Sequence, residues 1–419
     1  MILKDQSNKK KLFSNFLSLS FVQIANYLLP LITIPYLVRV LGPDKYGLIS
    51  FAQALILYFS FITNYDFNLS APRVISINRD DPFLISKIFN SIMLIKFILM
   101  ILSFIVLCII IISFDKFRDD WLIYLFSFGI VLADVLFPIW FFQGVERMKS
   151  IAVLNILSKL LFAISIFILI SSQEHYIFVP LLNSIFLVVT ALIGLLIAFK
   201  KFNIKLFIPS FNDLKLQISQ GWNIFLSNVS ISLYTISNTF ILGIFTNDTI
   251  VGYYSAAEKI IKAVQGLLNP VVQSLYPHIS KIAIESKETA LLIIKKLSKR
   301  VGLITFVIST FIFVYSGHII NLFLGDKFEQ SVIVLRILSF QPFLIGISFF
   351  YANLFLLGFG YTKTWSKIII SASVIDILLV IFFVVIIPLK HIGVSLGWFL
   401  TELFVATFSY IYFIKLKSK

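Results

Sequence analysis

The chain has 419 residues, 59% of them hydrophobic and only 13% charged, with a mean hydropathy of +0.98 and a net charge of +15. A soluble domain sits near 45–50% apolar and about 25% charged, so too few charges remain here to cover a water-facing surface. The composition therefore excludes a soluble globular protein, and the apolar runs lack the strict alternation that a transmembrane β-barrel needs.

One crossing helix takes about 20 apolar residues. Read between breakers, the apolar runs predict twelve spans: 13–41, 46–69, 83–113, 121–142, 149–172, 176–200, 216–245, 250–280, 291–317, 331–357, 364–388 and 391–414. Lys4, Lys9, Lys10 and Lys11 precede the first. That apolar run is longer than the ~7–15 residues of a signal-peptide core, and no small-x-small cleavage site follows it. It is expected to stay as a signal-anchor helix.

The first span carries Gln23, Asn26 and Thr33 on one side, with Pro30 and Pro35 as expected kinks. In the second, Ser50, Gln53, Ser60 and Asn64 share a face. Lys96 in the third span and Lys159 in the fifth stand alone on apolar helices, where a lysine can snorkel toward the interface. The single cysteine, Cys108, excludes an intramolecular disulfide and a cysteine metal cluster. Asp134 lies deep in the fourth span.

Asn228, Ser232, Thr235 and Thr239 align in the seventh span. The eighth is the most polar: Ser255, Glu258, Lys262, Gln265 and Asn269 line one face, with Lys259 on its flank. A glutamate four residues before a lysine can pair with it along the helix. Asp376 and Glu402 add carboxylates to the last two spans. Charged side chains at lipid depth are costly and mark function more often than packing. Such stripes also serve interhelical hydrogen bonding, but packing contacts rarely need a lysine.

The basic residues divide by side. One set of connections, with both ends of the chain, holds 24 of them, including Lys4, Arg73, Arg147, Lys200, Lys296, Lys363 and Lys415. The other set holds six: Arg39, Lys45, Lys116, Arg118, Lys327 and Lys390. That is the positive-inside pattern. It predicts cytoplasmic termini and assigns the excess charge to topology and anionic lipid, not to nucleic acid.

The polar interval Lys200–Lys215 divides the chain into expected lobes of six spans each, 1–205 and 206–419. Gly47-x-x-Ser50-x-Ala52 recurs as Gly252-x-x-Ser255-x-Ala257, and Gly144 followed by Lys149 mirrors Gly358 followed by Lys363. Even blocks of this kind enter the membrane in the same direction, a parallel repeat. The expected fold is all-α, about twelve transmembrane helices in two lobes around a central polar cavity. No P-loop and no H-E-x-x-H motif occurs, and the four histidines are dispersed, so neither ATP nor a metal is expected. The acid pairs Asp80-Asp81 and Asp119-Asp120 sit beside arginines and suit solvated turns. A membrane glycosyltransferase or polysaccharide polymerase should carry a sizeable periplasmic loop, and none is present.

Three blocks carry a resemblance over nearly the whole length. The first is Pro35-Tyr36-Leu37-x-Arg39-x-Leu41-Gly42-Pro43-x-x-Tyr46-Gly47, running on to Phe67-Asn68-Leu69-Ser70-Ala71-x-Arg73. The second is Trp140-Phe141-Phe142-Gln143-Gly144-x-Glu146-x-Met148. The third is Ser237-Asn238-Thr239-Phe240-Ile241-Leu242-Gly243 with Val251-Gly252-Tyr253-Tyr254-Ser255-Ala256-Ala257-Glu258-Lys259. With these the chain resembles bacterial O-antigen and polysaccharide flippases of the multidrug/oligosaccharidyl-lipid/polysaccharide exporter superfamily. Asp66 departs from the pattern, which leads one to expect a glycine there. The first span has no interior acid, unlike the ion-coupled drug exporters of the superfamily.

The resemblance implies translocation of an undecaprenyl-pyrophosphate-linked oligosaccharide to the periplasmic leaflet of the bacterial inner membrane, with no cofactor and no catalysis. It implies a monomer that works beside the polysaccharide polymerase and chain-length regulator; the alternative is a multidrug or other lipid exporter. Pyrophosphate needs cations and sugar needs amides and hydroxyls. The expected substrate contacts are Arg39, Arg73, Lys259, Lys262, Asn26, Gln53, Asn64, Asn238 and Gln265. Glu258 and Asp376 are the expected ion-coupling carboxylates.

Overall fold

The computed structural model describes the backbone of residues 2–417; side chains are described except at 1–28, 149–150, 223–224, 226–235, 270–274, 277 and 418–419. Among the described residues the protein is helical with no strand. In chain order the α-helices are α1 (Ile2–Asn64), α2 (Phe67–Ile77), α3 (Pro82–Ser113), α4 (Asp115–Arg118), α5 (Trp121–Leu136), α6 (Ile139–Gly144), α7 (Met148–Leu169) and α8 (Phe178–Phe202). The second half holds α9 (Phe211–Phe245), α10 (Asp248–Gly266), α11 (Asn269–Glu285), α12 (Lys287–Leu324), α13 (Ser331–Leu338), α14 (Gln341–Ser348), α15 (Thr362–Ile381) and α16 (Lys390–Leu416). Short π-helical segments, Phe349–Leu357 and Phe382–Ile386, continue α14 and α15.

Nine stretches among the described residues are long and apolar enough to cross a bilayer, the first of them Leu29–Ile77 at 49 residues. Their flanks are apolar and exposed. On α3, Phe97, Ile101, Ile105, Ile109 and Ile112 all face outward, a surface that only lipid can cover. The chain is a multi-pass membrane protein.

Local chemistry sets the helix ends. Pro82 opens α3 at its first turn while the Asp81 carboxylate accepts from the Phe83 and Leu84 amides at 3.0 Å. Asn247 caps α10 through the Ile250 amide at 3.0 Å, and Ser286 caps α12 through the Thr289 amide at 3.3 Å. The expected kinks at Pro30 and Pro35 are not where α1 breaks. Helical backbone runs through both, and the break falls at Gly42, whose φ of 73° suits a residue without a β-carbon.

The second arm of α1 stops at Tyr65 and Asp66, both in the left-handed region, before α2 begins. The glycine expected at 66 is explained by that backbone: φ is 52° there, and aspartate is among the few side chains that tolerate it. The fourth predicted span is likewise two pieces, α5 and α6, divided at Pro138.

The chain forms two compact units. One comprises residues 1–33 and 52–229, the other residues 34–51 and 230–419. The first unit is built on Trp140, Phe141, Phe142 and Phe89, all buried. Here the second motif block does structural work: a β-carbon on Gly144 would lie 2.6 Å from Ile75, so α2 packs directly on α6. Arg79 ties the corner by an ion pair to Glu146 at 2.9 Å and a bond to the Gly144 carbonyl at 3.1 Å. The second unit is built on Phe350, Leu354, Phe355 and Ile368.

Within that second unit the two copies of the Gly-x-x-Ser-x-Ala repeat meet. A β-carbon on Gly47 would stand 1.7 Å from the Asp248 carbonyl, and one on Gly252 would stand 2.0 Å from the Pro43 carbonyl. Only glycine lets the backbones approach so closely. Both residue pairs are related by the repeat's own offset of 205 positions.

Candidate substrate and ion-coupling site

Of the polar face expected over the eighth span, Ser255 and Glu258 on α10 are buried, Lys262 and Gln265 are half-buried, and Asn269 is exposed at the start of α11. Tyr254, Glu258 and Lys262 follow one another at single-turn spacing. The Tyr254 hydroxyl lies 3.4 Å from Glu258 Oε1, and Lys262 Nζ pairs with the same oxygen at 2.9 Å. Glu258 is buried, whereas the Lys262 side chain remains 41% exposed. Its ammonium also stands 5.8 Å from the centroid of the Trp398 ring, within the range of a cation–π contact. One carboxylate and one indole thus hold a lysine whose side chain remains partly uncovered.

Asn238 on α9, Asp376 on α15 and Glu402 on α16 surround the Tyr254 end of this face: Asn238 and Asp376 interact with Tyr254, and Glu402 with Asp376. Asp376 is fully buried, with the Thr401 hydroxyl and the Asn238 amide beside its carboxyl group. The Thr401 hydroxyl also donates to the Gly397 carbonyl at 2.9 Å. The Asn238 Oδ1 lacks a donor. A carboxylate buried beside a second carboxylate is a set of acceptors, suited chemically to a proton or a small cation. Among the described residues no three acids, histidines or cysteines group as a metal site.

The first unit buries a different cluster. Lys96 on α3 is 1% exposed and does not snorkel. Its ammonium donates to the backbone carbonyl of Asp134 at 2.6 Å. Pro138, four residues on, has no amide hydrogen to give that carbonyl, and Lys96 takes its place. The Asp134 carboxylate supplies the counter-charge, and Ser60 and Asn64 stand against it from the second arm of α1.

Among the expected site residues, the structure therefore brings together Asn238, Glu258, Lys262 and Asp376. Gln265 lies half-buried one turn beyond Lys262, and Lys259 sits on the exposed flank of α10. Asn64 serves Asp134, and Gln53 is half-buried two turns before Ser60. Arg39 donates to the Leu322 and Asn321 carbonyls at the end of α12, which makes it a helix cap. Arg73 is exposed on α2. Asn26 lies outside the described side chains, as do Gln23, Asn228, Ser232 and Thr235. Sequence reasoning missed Tyr254, Trp398 and Thr401 as neighbours of the site. The four-residue step from Tyr254 to Glu258 was the available signal for the first; nothing in the spacing flagged the other two.

A multi-pass helical membrane protein with buried carboxylates and a half-open intramembrane lysine has the makings of a transporter. Comparison gives the class. The chain aligns with a solved lipid II flippase, MurJ in an inward closed conformation, at a TM-score of 0.70 and 15% identity, covering 95% of this chain and 87% of that one. An inward-facing multidrug resistance transporter of the MATE family aligns at 0.68 and 17% identity, covering 93% and 96%. At such identities the likeness is one of fold. A candidate O-antigen transporter of Escherichia coli (strain K12) is 32% identical over 401 residues, 96% of each chain. A second, of Shigella dysenteriae, is 27% identical over 87% of this chain and 91% of its own length. The family model described as polysaccharide biosynthesis protein matches residues 12–283. The chain belongs to the polysaccharide biosynthesis protein family.

Proposed function

We propose that this protein flips an undecaprenyl-pyrophosphate-linked O-antigen or similar oligosaccharide unit from the cytoplasmic to the periplasmic leaflet of the bacterial inner membrane. The twelve-crossing, two-lobe arrangement of residues 1–205 and 206–419, a monomeric state and cytoplasmic termini belong to the same reading. The observation that carries it is Lys262: a cation held by Glu258 and Trp398 yet 41% exposed. A pyrophosphate leaving water must find charge-assisted donors, and a partly uncovered lysine on a polar face supplies one. Asn238 and Gln265 offer amides for sugar hydroxyls. Lys259, Arg39 and Arg73 extend the cationic path, and the polyprenyl tail stays in lipid.

Alternating access needs two states of similar energy that a ligand or ion biases. Asp376 is the coupling carboxylate in this proposal, since an occupied and an empty acceptor set differ by a full charge. Glu258, already paired, transmits the change to Lys262. The names of the relatives support the substrate class, and the 24-to-6 division of loop cations supports the direction.

The test is surface polysaccharide in a flippase-deficient strain, with membrane abundance measured beside it. Lys262→Arg should keep most transport, Lys262→Ala should lose at least about tenfold, a difference of ~1.4 kcal/mol, and Lys262→Glu should be worst. Full surface polysaccharide from a well-expressed Lys262→Ala protein would remove the anion site. For direction, single cysteines in a Cys108→Ala background should be labelled from outside at position 327 and spared at 296; the reverse pattern overturns the topology.

A further inference from the structure

On the second unit, α12, α14 with its π-helical continuation, and α16 enclose an open-sided cavity of about 730 Å³. Its walls are apolar: Leu303 and Phe306 on α12, Phe343 and Ile347 on α14, and Leu403 and Ala406 on α16. Lys299 lines one end. Along α12 the lining runs from Ser298 to Phe306, eight residues or about 12 Å at 1.5 Å per residue. That is less than half of a ~30 Å hydrocarbon core. A groove of this length holds part of one chain within one leaflet.

Three features say what fills it. First, Gly302 opens the wall: a β-carbon there meets no atom within 4 Å. Second, the Ser298 and Tyr351 hydroxyls on the walls bond to each other at 3.0 Å, and Thr407 and Tyr410 border the cavity on α16. The cavity interior therefore asks for hydrocarbon and offers no unfilled hydrogen bond at that point. Third, Lys299 falls where α12 changes character. Lys295, Lys296, Lys299 and Arg300 precede it or share the boundary, and Val301 begins an apolar run. All four cations are exposed, and among the described residues none is paired with a carboxylate. Cations at the head of an apolar run belong at the level of lipid phosphates.

We propose that this groove is a binding site for an anionic phospholipid of the surrounding bilayer, one acyl chain lying along Gly302 and Phe306 and the phosphate on Lys299. The site is separate from the α10 face and does not depend on what the protein transports. It makes the second unit responsive to the anionic lipid content of its own leaflet. The basic collar gives the selectivity and the groove gives the residence: an annular lipid passing over a smooth apolar surface has neither.

Native mass spectrometry of the purified full-length protein, given equal phosphatidylglycerol and phosphatidylcholine of matched chains, tests this. Wild type should retain one phosphatidylglycerol with about tenfold preference, ~1.4 kcal/mol. Lys299→Glu should abolish the preference. Gly302→Leu, whose added carbons enter open space, should lower retention of both lipids, and Thr407→Phe, filling the groove from the exposed side of α16, should do the same if the first variant fails to fold. Equal retention of the two lipids by wild type overturns the proposal. So does unchanged retention in folded groove-filling variants, or preference that survives Lys299→Glu.

Discussion

Each unit of this protein holds an aspartate inside an apolar helix, and the two are treated differently. Asp134 in the first unit is answered: Lys96 supplies charge, Ser60 and Asn64 face the carboxylate, and its backbone carbonyl receives the bond that Pro138 cannot give. Asp376 in the second unit has polar neighbours, the Thr401 hydroxyl and the Asn238 amide, but beside it stands a second carboxylate, Glu402, and among the described residues no cation answers it. A buried ionisable group with its own counter-charge behaves as architecture. One buried beside a like charge is costly to ionise, and a proton or cation relieves it on binding. The same side chain thus marks a brace in one unit and a switch in the other.

That contrast can be broken in order of effect. Lys96→Met strands the Asp134 carboxylate and an unpaired carbonyl, and should cost about 3–5 kcal/mol; the loss should appear as low membrane abundance and early melting in detergent. The double change Lys96→Met with Asp134→Leu should recover much of it, because no orphan charge is left. If the double variant is no better than the single one, Lys96 is more than a brace. Asn64→Leu removes one of the groups facing Asp134 and should cost about 1.5–3 kcal/mol, the range for a hydrogen bond to a charged group, by the same melting assay.

Asp376→Asn keeps the shape and removes a carboxylate from beside Glu402, and should change stability by no more than about 1.5 kcal/mol. It should nonetheless abolish transport and any dependence of transport on the ion gradient. A stable Asp376→Asn protein with normal surface polysaccharide would make the two aspartates alike. The smallest effect belongs to the bend between α1 and α2. Asp66→Gly relieves a left-handed aspartate at the expense of unfolded-state entropy, and the melting point should move by less than the equivalent of ~1 kcal/mol in either direction.

Much of the fold was legible because a bilayer makes strict demands. Runs of apolar residues had to be helices, and among the described residues nine helical stretches are long and apolar enough to cross a bilayer. What the runs could not show is where a helix interrupts itself. Gly42 was readable as a motif residue but not as the break, and Pro138 looked like an ordinary residue of span four. The site divides the same way. The Glu258–Lys262 pair was visible as a four-residue step on one helix. Lys96 looked solitary because its partner is 38 residues away, and Ser60 and Asn64 looked like a cavity stripe because their face points at Asp134. Spacing along one helix is encoded locally; the face a neighbouring helix will present is not.

The crossing of Gly47 on Asp248 and Gly252 on Pro43 has the form of a handshake: each partner offers the other the same atoms, a glycine and the carbonyl four residues before its counterpart. Contacts of that kind are what a two-fold axis makes between identical subunits. Here they join two stretches of one chain. The two glycines share one crossing, so a side chain added at either displaces the same pair of backbones. Gly47→Ala and Gly252→Ala should each disturb the same crossing, and their effects on melting should fall short of additive, since whichever comes first already forces the backbones apart.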